Sequence, residues 1–144
     1  MYKRYVATII VAFSGFSNAQ MTPVGTWNTV DDKTGEIKSE IRITESNNAL
    51  FGVVAKLLRK DAKQDEICDK CTDDRKDKPI LGMQIIRGAK KAEGKDVWED
   101  GKILDPENGK VYALRLTPIE DGKKLEVRGS IAFFGRTQTW VRAK

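Results

Sequence analysis

Apolar and polar residues alternate in two long stretches of the chain, residues 37–44 and residues 125–133. A period of two places one row of side chains on each face of a β-strand. Residues 112–116 alternate in the same way, and shorter or less regular runs occur at 25–30, 50–58, 80–87, 97–104 and 136–142. The pattern predicts eight strands. After residue 20, no stretch keeps a helical period for more than two turns.

Turn-forming residues separate most of these strands. They occur at residues 32–35, 46–48, 105–109 and 120–122, and each group contains Asn, Asp or Gly. Strands joined in order by tight turns favour an antiparallel up-and-down barrel, because parallel strands need a long crossover. An eight-stranded barrel is either filled by its side chains or wide enough for one small ligand. Only residues 59–78 form a long charged break.

The first nineteen residues have the three parts of a secretory signal peptide. Lys3 and Arg4 form the basic start, residues 6–16 the apolar run, and small residues lead to a cleavage site after Ala19. An apolar run of eleven residues is short against the ~20 needed to span a bilayer. The sequence therefore predicts a periplasmic or secreted protein without a membrane span, whose single domain covers residues 20–144.

Two cysteines, Cys68 and Cys71, stand three positions apart in the charged break. A thioredoxin-type redox pair requires the start of a helix in a βαβ unit, and the charged break shows no such pattern. A zinc site requires about four ligands, and the sequence has no His and no second pair of cysteines. A disulfide needs only an oxidising compartment, which export supplies. The disulfide is the favoured interpretation of the three. It would stabilise the protein by only about 2 kcal/mol, because the loop it closes is short.

Composition argues against catalysis and against nucleic-acid binding. The chain has no His, so Ser-His-Asp and Cys-His mechanisms and His-based metal sites are excluded. Its 26 basic and 21 acidic residues are interspersed and form no basic stripe. The closest acid pairs lie in or beside turns and charged loops, and no glycine-rich phosphate loop is present. We expect no enzyme activity, no metal site and no cofactor.

Aromatic residues give the candidate binding positions. In a closed barrel the first and last strands are neighbours, so Trp27 meets the segment with Trp140 and Arg142. An Arg over an indole face contributes ~0.5 to 2 kcal/mol. Such a cluster is either a structural plug at one end of the barrel or part of a ligand site. The candidate ligand-binding residues are Trp27, Tyr112, Phe133, Trp140 and Arg142.

The chain resembles a family of small secreted bacterial lipocalin-like proteins that is classed as a domain of unknown function. The resemblance rests on Gly25-x-Trp27, on Asp-Pro-Glu-Asn-Gly-Lys-x-Tyr at 105–112 and on Gly-Arg-Thr-Gln-Thr-Trp-x-Arg at 135–142, with residues 78–82, 98–103 and 125–129. It implies a lipocalin-like barrel outside the cytoplasm that binds a small apolar molecule, and it implies no catalytic residues.

Two functions follow from these observations. The first is non-enzymatic binding of a small, largely apolar ligand inside the barrel. The second is an envelope interaction or structural module with a fully packed barrel, whose outer surface or residues 59–78 contact a protein partner that the sequence does not identify. An open apolar cavity would favour the first function, and a filled interior would favour the second.

Overall fold

A computed structural model describes residues 8–10 and 21–144. Its eight strands are β1 Gly25–Val30, β2 Ile37–Ser46, β3 Ala49–Leu57, β4 Gln84–Lys91, β5 Trp98–Asp105, β6 Lys110–Ile119, β7 Lys124–Ile131 and β8 Phe134–Arg142, with a short 3-10 helix at Glu120–Gly122. Each strand is antiparallel to the next, and β1 pairs with β8, so the sheet closes into a barrel. The predicted all-β, eight-stranded up-and-down barrel is confirmed.

Several predicted strand boundaries differ from the structure, and two of the differences have a clear local cause. The fourth strand begins at Gln84, not at residue 80, because the backbone of Ile80 is bonded to Glu66 in the preceding loop and Gly82 turns the chain with a φ of 85°. The seventh strand ends at Ile131, where the alternation continued to residue 133. Ile131 pairs with Phe134, so Ala132 and Phe133 form the turn, and Ala132 takes a φ of 52°.

The barrel interior is built from the inward row of each strand. Trp27, Ile41 and Val54 occupy one register across β1, β2 and β3, and all three are buried. Leu116 and Leu125 belong to the same core and are fully buried. The alternating pattern of the sequence therefore corresponds to the inner and outer faces of the wall.

Strand connections alternate between the two ends of an up-and-down barrel. The β1–β2, β3–β4, β5–β6 and β7–β8 connections lie at one end, which we call the open end. The β2–β3, β4–β5 and β6–β7 connections lie at the other, which we call the closed end. The longest connection, residues 58–83 between β3 and β4, is at the open end.

The predicted signal peptide, residues 1–19, lies outside the described residues except for residues 8–10. Among the residues that the structure describes, no helix has the length and apolar character to cross a membrane.

Candidate functional site

The barrel contains a cavity of about 790 Å³ that reaches the open end. The apolar side chains of its wall include Ile41, Val54, Leu57, Ile80, Ile85, Ile103, Leu104, Tyr112, Val127 and Trp140. Charged side chains, among them Lys38, Arg59, Glu66, Glu107 and Arg136, also line it and come mainly from the open-end connections and strand ends. The cavity therefore combines an apolar interior with a polar entrance.

Two of the five predicted site residues, Tyr112 and Trp140, line this cavity. The hydroxyl of Tyr112 accepts a hydrogen bond of 3.1 Å from the Asn108 amide in the β5–β6 turn, so its polar tip points toward the entrance. Trp140 is buried, and its Nε1 donates to Gln138 Oε1 at 3.3 Å. Both are amphipathic aromatic side chains, with the Tyr112 hydroxyl directed to the entrance and Trp140 buried deeper in the barrel.

Trp27 and Arg142 lie at the closed end and do not line the cavity. Trp27 is fully buried and its Nε1 donates to the Pro23 carbonyl at 2.7 Å. The Arg142 guanidinium carbon stands 4.2 Å from the Trp27 ring centroid. These two residues form the plug of the barrel, which is the structural alternative that the sequence left open.

Arg142 also ties three chain segments together at the closed end. Its guanidinium donates to the Gly122 carbonyl at 2.7 Å, to the Val24 carbonyl at 3.1 Å and to the Thr22 carbonyl at 3.1 Å. Burial lowers the pKa of Arg142, although an arginine stays protonated in proteins. The positive charge is thus held by carbonyl dipoles and an indole face.

The Gly25-x-Trp27 motif has a steric reason in this plug. Gly25 has a φ of +134°, which side chains rarely adopt, and a Cβ at this position would overlap Arg142 Nη1. Only glycine lets the chain turn here and leaves room for the guanidinium.

Phe133 does not lie on the cavity wall. It is 102% exposed at the tip of the β7–β8 hairpin, beside Phe134, which is 82% exposed. The sequence alternation had placed Phe133 inward at the end of β7, but the strand stops at Ile131 and the turn points the side chain into solvent.

A network of ion pairs, the rim network, crosses the open end. Lys38 Nζ lies 3.2 Å from Asp31 and 3.2 Å from Glu107. Arg59 continues the network to Glu107 at 3.3 Å and to Glu66 at 2.6 Å. The network joins β2 and the turn before it to the β5–β6 turn and to the long β3–β4 connection.

Two carboxylates of the rim network, Asp31 and Glu66, have lowered pKa values. Backbone N–H groups of Thr34 and Lys33, with Lys38, hold the pKa of Asp31 well below its ordinary value. The hydrogen bond from Arg59 lowers the pKa of Glu66. A lowered acid pKa stabilises the fold above the ordinary carboxyl pKa, and that contribution is lost as the pH falls through the lowered values. Asp31 and Glu66 are therefore ionised at neutral pH, where they pair with Lys38 and Arg59.

The β3–β4 connection is held against the barrel by a disulfide and by close packing. Cys68 and Cys71 are bonded and buried, so the favoured interpretation of the cysteine pair is confirmed. Arg75, also buried, donates to the Gln84 carbonyl at 2.8 Å, and its side-chain bonds lower the pKa of Asp73 to about 2. Gly109 contacts the Lys70 carbonyl so closely that a Cβ would overlap it. The connection packs against the β5–β6 turn beside the cavity entrance.

No group of three or more His, Cys, Asp and Glu among the described residues could hold a metal ion. At the entrance, Glu66 is paired with Arg59, and Glu107 is paired with both Arg59 and Lys38. The arrangement offers an apolar volume with hydrogen-bonding groups at its entrance.

The sequence analysis did not identify most of the residues that line the cavity and its entrance. Ile103 and Gln138 line the cavity, and each stands in a predicted strand. The alternating pattern could have identified them as inward positions. Arg59 and Glu66 carried no such signal, because they belong to an irregular connection whose path depends on tertiary packing.

Comparisons with known proteins agree with this architecture. A family model described as "Uncharacterized protein conserved in bacteria (DUF2147)" matches residues 25–142. The solved structure of protein HP1028 from the human pathogen Helicobacter pylori, which belongs to the lipocalin family, is similar with a TM-score of 0.70 and 19% identity, over 84% of this chain and 82% of that chain. This similarity shows the fold. No curated protein matches the chain significantly.

Proposed function

The chain belongs to the DUF2147 family of bacterial proteins, and from its open, apolar cavity we propose that it binds a small, largely apolar ligand inside a lipocalin-like barrel. The cavity volume of about 790 Å³ carries the proposal. Pockets for small molecules commonly measure ~300 to 1,000 Å³ and are lined by apolar side chains with a few polar groups.

The position of the polar groups defines the chemistry of the ligand. Ile41, Ile103 and Val127 have no hydrogen-bonding side chain, and the interior Gln138 already accepts a hydrogen bond from Trp140, whereas Lys38 and Arg59 stand at the entrance. A polar ligand atom placed among the apolar side chains would lose its water without a partner, which costs about 1 to 3 kcal/mol. The ligand is therefore apolar along its body, and any polar group lies at the entrance.

A packed interaction module is the weaker function for this barrel. Such a module would fill its interior with side chains, as small barrels often do. Here the closed end is filled by Trp27 and Arg142, but the open half encloses the cavity. A packed module would leave few interior voids larger than a water molecule, so an open volume of this size favours binding.

The proposed function is binding and not catalysis, and we place it in the periplasm or outside the cell. The chain contains no His for general base chemistry, and Glu107 and Glu66 at the entrance are paired with Lys38 and Arg59. A buried disulfide supports an oxidising compartment. The proposed function includes no cofactor, metal or nucleic acid.

Filling the cavity should abolish binding. Ile103 lines the cavity and is half-buried, so Ile103→Trp adds an indole to the open volume. We expect the affinity for the neutral apolar probe N-phenyl-1-naphthylamine, measured by fluorescence titration, to fall at least tenfold, since ~1.4 kcal/mol of lost burial already has that effect.

Lys102→Trp is the matched control, because Lys102 is the preceding residue of β5 and is exposed. It adds the same indole outside the barrel and should leave probe affinity unchanged. If the wild-type protein does not bind the probe, or if both variants bind it like wild type, the cavity is not the binding site.

A further inference from the structure

The β7–β8 hairpin carries an apolar tip at the open end. Phe133 is 102% exposed, Phe134 is 82% exposed and Ile131 is 44% exposed. Ile131 and Phe134 are paired on either side of the two-residue turn that contains Phe133. Scattered exposed apolar residues are ordinary, but two fully exposed aromatic rings at one tip are a contiguous apolar surface. None of the three lines the cavity.

A basic surface lies directly behind this tip. The guanidinium of Arg128 packs against Gly135, the residue that follows Phe134. Arg115 and Arg128 are exposed cations on β6 and β7, whereas Arg136 is paired with Asp32, Lys124 with Glu120, and Arg142 belongs to the closed-end plug. The basic surface therefore consists of two exposed arginines, Arg115 and Arg128, beside the hairpin tip.

Like charges stand opposite each other on the outer face of this surface. Arg115 and Arg128 are paired across β6 and β7, and both are exposed. Arg128 donates to Thr137 at 3.2 Å, while Arg115 lies 3.9 Å from Glu99. Like charges directly opposite in a sheet destabilise it, and an anion lying across both would remove that repulsion.

The apolar tip and the basic surface together are complementary to an anionic lipid surface, which has an apolar interior and negatively charged headgroups. Amphipathic elements that lie on membranes bury aromatic side chains about 5 to 10 Å deep and keep cations at the headgroup level. Phe133 and Phe134 correspond to the buried aromatic side chains, and Arg128 corresponds to a cation at the headgroup level. A neutral apolar partner would leave the arginines unused, so charge complementarity favours the lipid.

We propose that the β7–β8 hairpin docks the barrel on an anionic lipid surface, with Phe133 and Phe134 in the acyl boundary and Arg128 and Arg115 among the headgroups. This orientation brings the open end of the cavity to the membrane. The inference stands on the hairpin and its basic flank, and it holds whether or not the cavity binds a ligand.

Vesicle co-sedimentation tests the docking surface. Wild-type protein should bind vesicles of phosphatidylcholine mixed with phosphatidylglycerol, should bind pure phosphatidylcholine vesicles much more weakly, and should lose affinity as salt is added. The double variant Phe133→Ser with Phe134→Ser should bind the mixed vesicles at least tenfold more weakly. Arg128→Gln should weaken binding about fivefold, because one basic residue near the surface is lost.

Two variants serve as matched controls. Val141→Ser removes an exposed apolar side chain near the closed end, and Lys56→Gln removes an exposed cation on β3. Both should bind like wild type. Because Phe133 and Phe134 are exposed, their variants should keep the wild-type melting temperature. The proposal is overturned if wild-type protein does not bind the mixed vesicles, or if the control variants lose as much affinity as the tip variant. It is also overturned if wild-type protein sediments without vesicles because it self-associates through Phe133 and Phe134.

Discussion

Trp27→Ala should lower the free energy of unfolding by about 3 to 5 kcal/mol, a large part of the ~5 to 15 kcal/mol that stabilises a typical domain. Trp27 is fully buried, donates to the Pro23 carbonyl and stands in register with Ile41 on one side and Arg142 on the other. The substitution removes the indole where β1 closes the barrel on β8, and it leaves a cavity.

Equilibrium unfolding in urea measures this loss. Trp27→Phe is the matched control, because it keeps an aromatic ring but removes the donor to Pro23, and it should fall between wild type and Trp27→Ala. A loss below about 1 kcal/mol for Trp27→Ala would show that the indole does not close the barrel, since exposed positions give changes of that size.

Arg142→Ala should cost about 2 to 4 kcal/mol in the same assay. The sequence alone predicted less, because it considered only the cation over the indole. The structure adds bonds to the carbonyls of Gly122, Val24 and Thr22, and removing the guanidinium leaves these acceptors in a partly buried site. Arg142→Lys should recover part of the loss, because a lysine keeps the charge but not the planar set of donors.

The two closed-end residues should also depend on each other. Because Arg142 stacks on Trp27 at 4.2 Å, a double-mutant cycle should give a coupling of about 0.5 to 2 kcal/mol. Phe133→Ser provides the comparison, and its small effect should add to that of Trp27→Ala. Full additivity between Trp27→Ala and Arg142→Ala would contradict the stacked arrangement.

The barrel was predictable from the sequence because its wall is a repeating pattern. Residues 37–43 alternate so regularly that β2 has a single reasonable orientation, and the turn at 105–109 closes the β5–β6 hairpin as expected. The prediction was wrong where tertiary contacts decide the boundary. Ile80 is apolar and resembles a strand residue, yet it bonds back to Glu66 in the β3–β4 connection.

The cavity was predictable only in part. Tyr112 and Trp140 line it as expected, because each stands on the inward row of the alternating positions along its strand. The rim network could not be predicted. Lys38 and Glu107 are 69 positions apart in sequence, and they meet only because the barrel brings β2 and the β5–β6 turn to the same end. Trp27 lies at the seam as predicted, where it forms the plug with Arg142, one of the two alternatives that the sequence left open.

Native mass spectrometry of the protein isolated from the cells that make it tests the proposed binding function most directly. The account predicts a mass above that of the polypeptide by one small molecule, which is released on denaturation and extracts into organic solvent. The Ile103→Trp protein from the same cells should lack this mass, and Lys102→Trp should retain it. A wild-type protein that carries no small molecule, and whose cavity does not bind the apolar probe when it is supplied, would contradict the account.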